Sequence, residues 1–493
     1  YILALCLRVR PLVAFIGAVA FAFATYEIVI IQAGHNSKAT TVALMAPVLG
    51  AFIMAYRKNW KWGVVLSALF MCFEVASNHL QVTYYLGILL LGLGIFEFVK
   101  AFRAKKIKHF FIVSGLLLGA YGLALFVNYG NLTITREYAK HTIRGGNDLT
   151  INPDGTEAKK NTDGLDKDYI TTWSYGVGES FTLISPYVKG SASVGLADSN
   201  FKDLIEDSDR TRSEKNAIYS APFPIYFGEQ PIVSGPTYIG IVLFLIMLMG
   251  LVFLEDKRKW VFFAVGVLAL LLSWGKNFMG LTEFFIDYIP GYNKFRTVTI
   301  IMVLIELVSP VIAVLFLESM FKNREVFVEK KKQFAIVSGV CIVFLIGLKF
   351  VGLGDNYSSS ADRVQIERVE ESVLNQLKSL TPEQLTQNRI DLSNEAQVKA
   401  IVNGEMEKSE EQLASFKTAR KDIFHNSMNR SIGFSILTLI IFTLYFYTSI
   451  QTIYIIAGLG LLLMIDLIPV NRNYLNSDEL KNGKYKHWMP IED

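Results

Sequence analysis

Charge is scarce in this sequence and cysteine scarcer. Asp, Glu, Lys and Arg make up 19% of the 493 residues, against about a quarter in a soluble globular domain, too few to clothe a water-facing surface of ordinary size. The three cysteines, Cys6, Cys72 and Cys341, lie inside apolar stretches and form no CxxC or Cys/His spacing, which argues against a disulfide framework or a zinc site. No Walker motif, GxGxxG turn or HExxH register occurs, so neither a nucleotide-driven step nor zinc-protease chemistry is indicated. The net charge of +4 is distributed between apolar segments rather than gathered into a basic, aromatic-laced patch, which points away from nucleic acid as a partner.

What is abundant is apolar sequence, at 52% of residues with a mean hydropathy of +0.36. Long apolar stretches recur throughout, and in lipid each must satisfy its own backbone hydrogen bonds, so a bundle of helices is expected. Spans of the required length of about 20 residues are read at 11–32, 39–56, 62–78, 83–100, 109–128, 236–254, 260–275, 297–317, 333–353, 432–449 and 451–469. A stub before Arg8 brings the expected total to about twelve. The chain starts in mid-run without methionine and stops abruptly at Asp493, so it reads as cut at both ends.

Alternate short loops carry the basic residues: Arg8 and Arg10; Arg57, Lys58 and Lys61; Lys100 to Lys108; Lys257 to Lys259; Lys322 to Lys332. Translocation leaves such loops on the cytoplasmic side. The same parity places three polar segments outside. The expected organisation is a transmembrane bundle (1–128), a large outer loop (129–235), central spans (236–353), a small helical cap (354–430), a hairpin (431–469) and the start of an outer tail (470–493). In the cap, Ile366, Val369, Val373, Leu377 and Leu380 recur at helical spacing, and Thr381-Pro382-Glu383 starts a fresh helix. Ile289 to Arg296 reads as a re-entrant or interfacial segment.

Polar side chains collect at the expected outer boundary. His35, Asn36 and Lys38 form one group, Asn78, His79 and Gln81 a second, and Arg296 stands near Lys294. Glu27 and Glu74 lie inside spans about two turns earlier, where an ionisable group costs about 2.5–3.5 kcal/mol and so calls for a function or a partner. Each polar residue alone is more often an interfacial anchor or a helix cap; together they suggest a polar chamber. In the outer loop Arg136, Glu137, His141 and Arg144 recur at near-helical spacing, and Asp166, Asp168 and Glu179 stand among Tyr169, Trp173 and Tyr175. Arginine suits phosphate and aromatic rings beside carboxylates suit sugars, although aspartates in a Gly-rich loop also cap turns.

Three strings carry a resemblance: Ala33-Gly34-His35-Asn36-Ser37-Lys38-Ala39; Asn78-His79-Leu80-Gln81-Val82-Thr83-Tyr84-Tyr85; and Gly164-Leu165-Asp166-Lys167-Asp168-Tyr169 continuing to Trp173-Ser174-Tyr175-Gly176-Val177-Gly178-Glu179. In these the chain resembles the YfhO-type family of bacterial membrane proteins, glycosyltransferases of the GT-C fold, over nearly its whole length. The resemblance implies an all-α polytopic bundle in the bacterial cytoplasmic membrane. It also implies inverting transfer of a sugar from a polyisoprenyl-phosphate donor to an envelope acceptor, with the donor phosphate neutralised by basic residues or a divalent metal. The family's acidic base, in the first outer loop, would precede Tyr1, so no catalytic residue is assigned. On this reading Arg144, Arg296 and Lys38 contact the phosphate, while His35, Asn78, His79 and Gln81 line the sugar-proximal chamber. The rivals are a lipid or sugar transporter and a non-catalytic subunit of an envelope complex.

Overall fold

The computed structural model describes residues 1–57, 59–144 and 164–475. Lys58, the turn-rich runs Gly145–Asp148 and Asn152–Gly155, and the tail from 476 onward lie outside the described residues. Among the described residues the protein is all-helical, 76% helix without a strand, as expected of a polytopic membrane protein.

A short α1 (Ile2–Cys6) precedes α2 (Pro11–Ala22) and α3 (Thr25–Gln32), which form a broken span bent by 44°. Proline at the first position of α2 suits its φ and spares a hydrogen bond. Then come α4 (Asn36–Ala55), α5 (Trp60–Ala76), α6 (Leu80–Arg103) and α7 (Ile107–Val127), with α8 (Tyr129–Lys140) extending α7 as an exposed polar helix. Helices α4 and α5 pack so closely that a Cβ on Gly63 would overlap the Ala55 backbone. Between residues 164 and 240 the chain forms short helices, α9 (Lys167–Thr171), α10 (Lys202–Glu206) and α11 (Arg212–Ser220), joined by turns.

The central helices are α12 (Ile241–Phe253), α13 (Arg258–Ser273), α14 (Met279–Tyr288) and α15 (Val303–Lys322). Gly275, at φ +48° where a side chain would overlap Ser174 Oγ, sits at the 111° break between α13 and the segment ending in α14. The chain therefore turns back, and Tyr84 Oη donates to Pro290 O at 3.1 Å to hold the returning segment. The bend falls before residues 289–296, the segment read as re-entrant or interfacial. Helix α15 is apolar almost throughout and its span is wholly buried, packed against α12, α13 and α2.

After α16 (Arg324–Glu329), α17 (Lys331–Val351), α18 (Ser360–Ser379) and α19 (Pro382–Gln387) comes the largest departure from expectation. Helix α20 (Glu395–Tyr447) runs unbroken for 53 residues, so the boundary expected at 430 falls inside one helix; α21 (Thr452–Arg472) follows. Where its polar half passes into its apolar half, α20 carries Ser427, Ser431 and Ser435 on one buried stripe. Ser427 Oγ meets Ser185 Oγ at 2.7 Å and Ser431 Oγ donates to Ile184 O at 3.0 Å, which docks the 164–240 segment on this helix.

Among the described residues seven helices are long and apolar enough to cross a membrane, or up to nine if each bent pair counts as one span. The other two of the eleven expected spans correspond to α5, of 17 residues, and α12, of 13. The basic loops do gather at one end. Arg57 lies within electrostatic reach of Arg8, Arg258 and Asp256, while the other end of α4, at Lys38, opens into a polar cavity.

Candidate functional site

That cavity, of about 150 Å³, lies where α3, the start of α4, the 175–191 and 226–237 loops and the Thr297–Ile300 turn converge. Its charged lining consists of His35, Lys38, Glu179 and Lys189. Helix α4 starts at Asn36, directly after the left-handed Gly34, so its first turn carries Lys38 inward. Lys38 as a whole is 9% exposed, and its ammonium donates to Tyr26 Oη at 3.4 Å and lies 5.5 Å from that ring's centroid. One long hydrogen bond leaves most of the donor capacity of an ammonium for a ligand.

Glu179 is the opposite case. Its Oε1 accepts from Tyr226 Oη at 2.5 Å and Gln230 Nε2 at 3.2 Å, and its Oε2 accepts from the Gly176 and Glu229 amides at 2.7 and 3.1 Å. Burial raises its pKa above the ordinary carboxylate value while these four donors pull it back. Glu179 therefore holds two loops in register. A Cβ on Gly228 would overlap both Tyr226 Oη and Glu179 Oε1. Gly228→Ala is expected to lower stability by about 1–3 kcal/mol, the cost of unmaking a buried hydrogen bond to a charged group, as a thermal melt would show.

Lys189 pairs with Asp355 and lies 5.4 Å from the Phe227 ring centroid, so this second cation ties the cavity wall to the segment between α17 and α18. Tyr175, Thr182 and Thr237 complete a hydrogen-bonded wall, with Thr182 Oγ1 donating to Thr237 O at 3.1 Å.

On the other side of α3 is an apolar groove of about 510 Å³, walled by α1, α2, α4 and α15. Small residues (Gly17, Ala18, Ala39, Ala43 and Ala46) make the room for it. Tyr26 lines the cavity and Glu27 the groove, so only α3 separates a polar chamber from an apolar slot. Beneath them Glu306 of α15 is fully buried, its carboxylate without a hydrogen bond of ordinary geometry and with the Tyr26 backbone and Glu27 nearby.

Of the residues expected to bind substrate, three line the cavity: His35, Lys38 and Glu179. Others stand around it in structural roles. Gln81 Nε2 donates to Tyr85 Oη at 2.9 Å and Arg296 O at 2.8 Å, pinning the re-entrant segment to α6. Arg296 donates to Tyr169 Oη and lies 5.6 Å from that ring's centroid, and Arg144 Nε donates to Lys294 O at 3.2 Å. Asp166 caps α9 through the Asp168 and Tyr169 amides, the turn-capping alternative, and the Asp168 side chain is exposed. Asn78 takes the left-handed turn between α5 and α6 at φ 59°, and Asn36 is exposed at the start of α4.

His79 is close enough to feel Lys38. Burial first, then the Lys38 charge, lowers its pKa from 6.5 to about 4, and its Nδ1 is buried without a partner. His35 is lowered for the same two reasons, with Arg296 adding to them. Both imidazoles are thus neutral at pH 7. As pH falls from 6.5 towards 4 the unfolded chain takes up a proton at His79 that the folded chain refuses, so stability is lost over that window. The His79→Gln variant is expected to gain on the wild type in melting temperature as pH is lowered from 7 to 4.5. A constant difference across that range would contradict the assignment.

Sequence spacing missed Lys189, Tyr226 and Gln230, which come from turn-rich stretches without periodicity. Glu306 carried a usable signal, being the same kind of lone carboxylate in an apolar run as Glu27 and Glu74. Among the described residues no group of three or more His, Cys, Asp or Glu could hold a metal ion. The chain matches no family model, no curated protein and no solved structure.

Proposed function

We propose that this chain is the membrane core of a YfhO-type, GT-C-fold glycosyltransferase, about twelve spans in the bacterial cytoplasmic membrane. It moves a sugar from a polyisoprenyl phosphate to an envelope acceptor on the outer face. The observation that carries the reading is the polar cavity and the apolar groove on either side of α3. A polyisoprenyl phosphate has the same two parts, an anionic head and an apolar tail. Lys38 meets the phosphate with its free donors and stabilises the charge that develops as the sugar leaves. Lys189, its charge met by Asp355, lines the cavity as part of its wall. His35, neutral and at the rim, offers hydrogen bonds to sugar hydroxyls, and Glu179 positions the loops without touching the reaction. Glu179, the one carboxylate among the cavity's described lining residues, is saturated by four donors, so this donor set does not fit a divalent cation. The outer location follows from the charge parity of the loops, the basic end being cytoplasmic.

The test is transfer from a lipid-linked sugar by the full-length protein. Activity lost in His35→Ala and Lys38→Met, with both variants folded, supports the reading; unchanged transfer in both removes it. Transport of a lipid-linked substrate is the second reading, favoured by the buried, unpaired Glu306 beside Glu27. Proton-dependent movement of lipid between leaflets, abolished by Glu306→Gln and without sugar transfer, would establish it instead.

A further inference from the structure

A second pair of adjoining cavities lies at the basic end, far from the chamber. The first, of about 380 Å³, is a polar mouth lined by Arg57, Trp60, Glu97, Lys100, Lys106 and His109. The second, of about 430 Å³, is an apolar groove between α6 and α7. Tyr56 and Phe110 line both, so the two adjoin at this pair of rings. Their rings are stacked with centroids 5.6 Å apart, and Tyr56 Oη is held by Ser114 Oγ at 2.8 Å, which fixes the junction. The groove is open sideways, since Leu91, Ile95 and Leu118 on its walls are 66, 58 and 71% exposed. In a membrane protein that direction is the bilayer.

The charges in the mouth are unbalanced. Glu97 is taken by Lys100 at 2.9 Å, and Arg57 spends one guanidinium nitrogen on Cys6 O at 2.7 Å. Lys106 has no hydrogen bond or ion pair through its ammonium among the described residues. A phosphate placed there meets Arg57 and Lys106 with His109 beside them, at the level where aromatic Trp60 and Tyr56 suit a membrane interface.

We propose that this pocket binds one anionic phospholipid, its phosphate in the Arg57–Lys106 mouth and an acyl chain along the groove between α6 and α7. Charge complementarity selects the anionic headgroup, and the apolar groove adjoining the mouth at Tyr56 and Phe110 selects a molecule with a tail over a free phosphate. The proposal is independent of what the chamber does.

Native mass spectrometry of the full-length protein titrated with phosphatidylglycerol or phosphatidylcholine tests it. Two variants separate head from tail. Lys106→Gln removes one cation near the headgroup and is expected to weaken phosphatidylglycerol binding about fivefold, the equivalent of about 1 kcal/mol, with phosphatidylcholine unaffected. Gly94→Leu fills the groove. A Cβ at Gly94 meets nothing within 4 Å, and leucine favours helix over glycine, so the variant folds while blocking the acyl chain. Loss of bound phosphatidylglycerol in Gly94→Leu, together with a preference for it over phosphatidylcholine in the wild type, supports the site. Equal binding of the two lipids, or retention by both variants, overturns it. Inorganic phosphate displacing the lipid from the wild type at comparable concentration would also overturn it, because the tail would then contribute nothing.

Discussion

Arg420→Ala is expected to lower stability by about 3–5 kcal/mol, the usual consequence of removing one partner from a buried ion pair. Arg420 is fully buried on α20, and its guanidinium forks onto Asp362 of α18 with contacts of 2.7 and 2.8 Å. The same group donates to Tyr357 O at 2.9 Å and Pro224 O at 2.7 Å, and it lies within 5.3 Å of the Phe227 and Phe416 ring centroids. One side chain thus fastens three segments: the loop that carries Tyr226, the start of α18, and α20 itself. Asp362 also closes the capping box with Ser359, so it cannot turn to water without unravelling the first turn of α18. Hydrogen exchange should rise across 357–379 and 221–230 in the variant, leaving α15 protected. Lys in place of Arg keeps the charge but not the fork, and should recover little. Joint replacement by apolar residues of similar volume should recover most of the loss, since neither charge is then stranded.

The second large effect concerns chemistry. On the proposed function, Lys38→Met should reduce sugar transfer by about 10²–10³-fold, the range measured when a preorganised donor to a developing charge is removed, with melting changed little. The small structural effect follows from geometry, because the ammonium makes a single long bond to Tyr26 Oη. The large chemical effect follows from its place between the polar cavity it lines and the groove that begins at Ala39, one residue on. The loss should fall on kcat and kcat/KM together if Lys38 serves the transition state, and on KM alone if it only holds the lipid phosphate. Glu179→Gln is the useful contrast. It keeps the shape but not the charge accepted by four donors, so stability should suffer before catalysis does.

The helical class and most spans are legible in the sequence because lipid imposes an unmistakable length of apolar chain. The break at Gly275 is legible too, as the point where the 260–275 run ends, although the reversal into α14 depends on φ +48° and on Ser174 packed against it. The continuity of α20 is not. Residues 395–430 are polar and amphipathic while 432–447 are apolar, and a change of solvent along one helix reads as a domain boundary. The serines that dock it are small and neutral, with no periodic hydrophobic signal of their own.

Of the residues that line the cavity, Lys38 and His35 are legible in the sequence because they stand at the end of an apolar run, where polar residues are conspicuous. Asp166 was conspicuous for another reason, the turn it caps, and sequence cannot tell a capping carboxylate from a binding one. Glu179 was found as a carboxylate among aromatics, yet its role depends on Tyr226 and Gln230, 47 and 51 residues further along. Partners at that separation are brought together only by the fold.

The central claim is that a lipid phosphate sits at Lys38 with its tail in the neighbouring groove. The most direct measurement is an experimental density map of the full-length protein with a polyisoprenyl phosphate bound. The account predicts phosphate density within hydrogen-bond distance of Lys38 Nζ and continuous tail density along the groove between α2, α4 and α15. Phosphate density elsewhere, with the cavity of Lys38, His35 and Glu179 empty of it, would contradict the account.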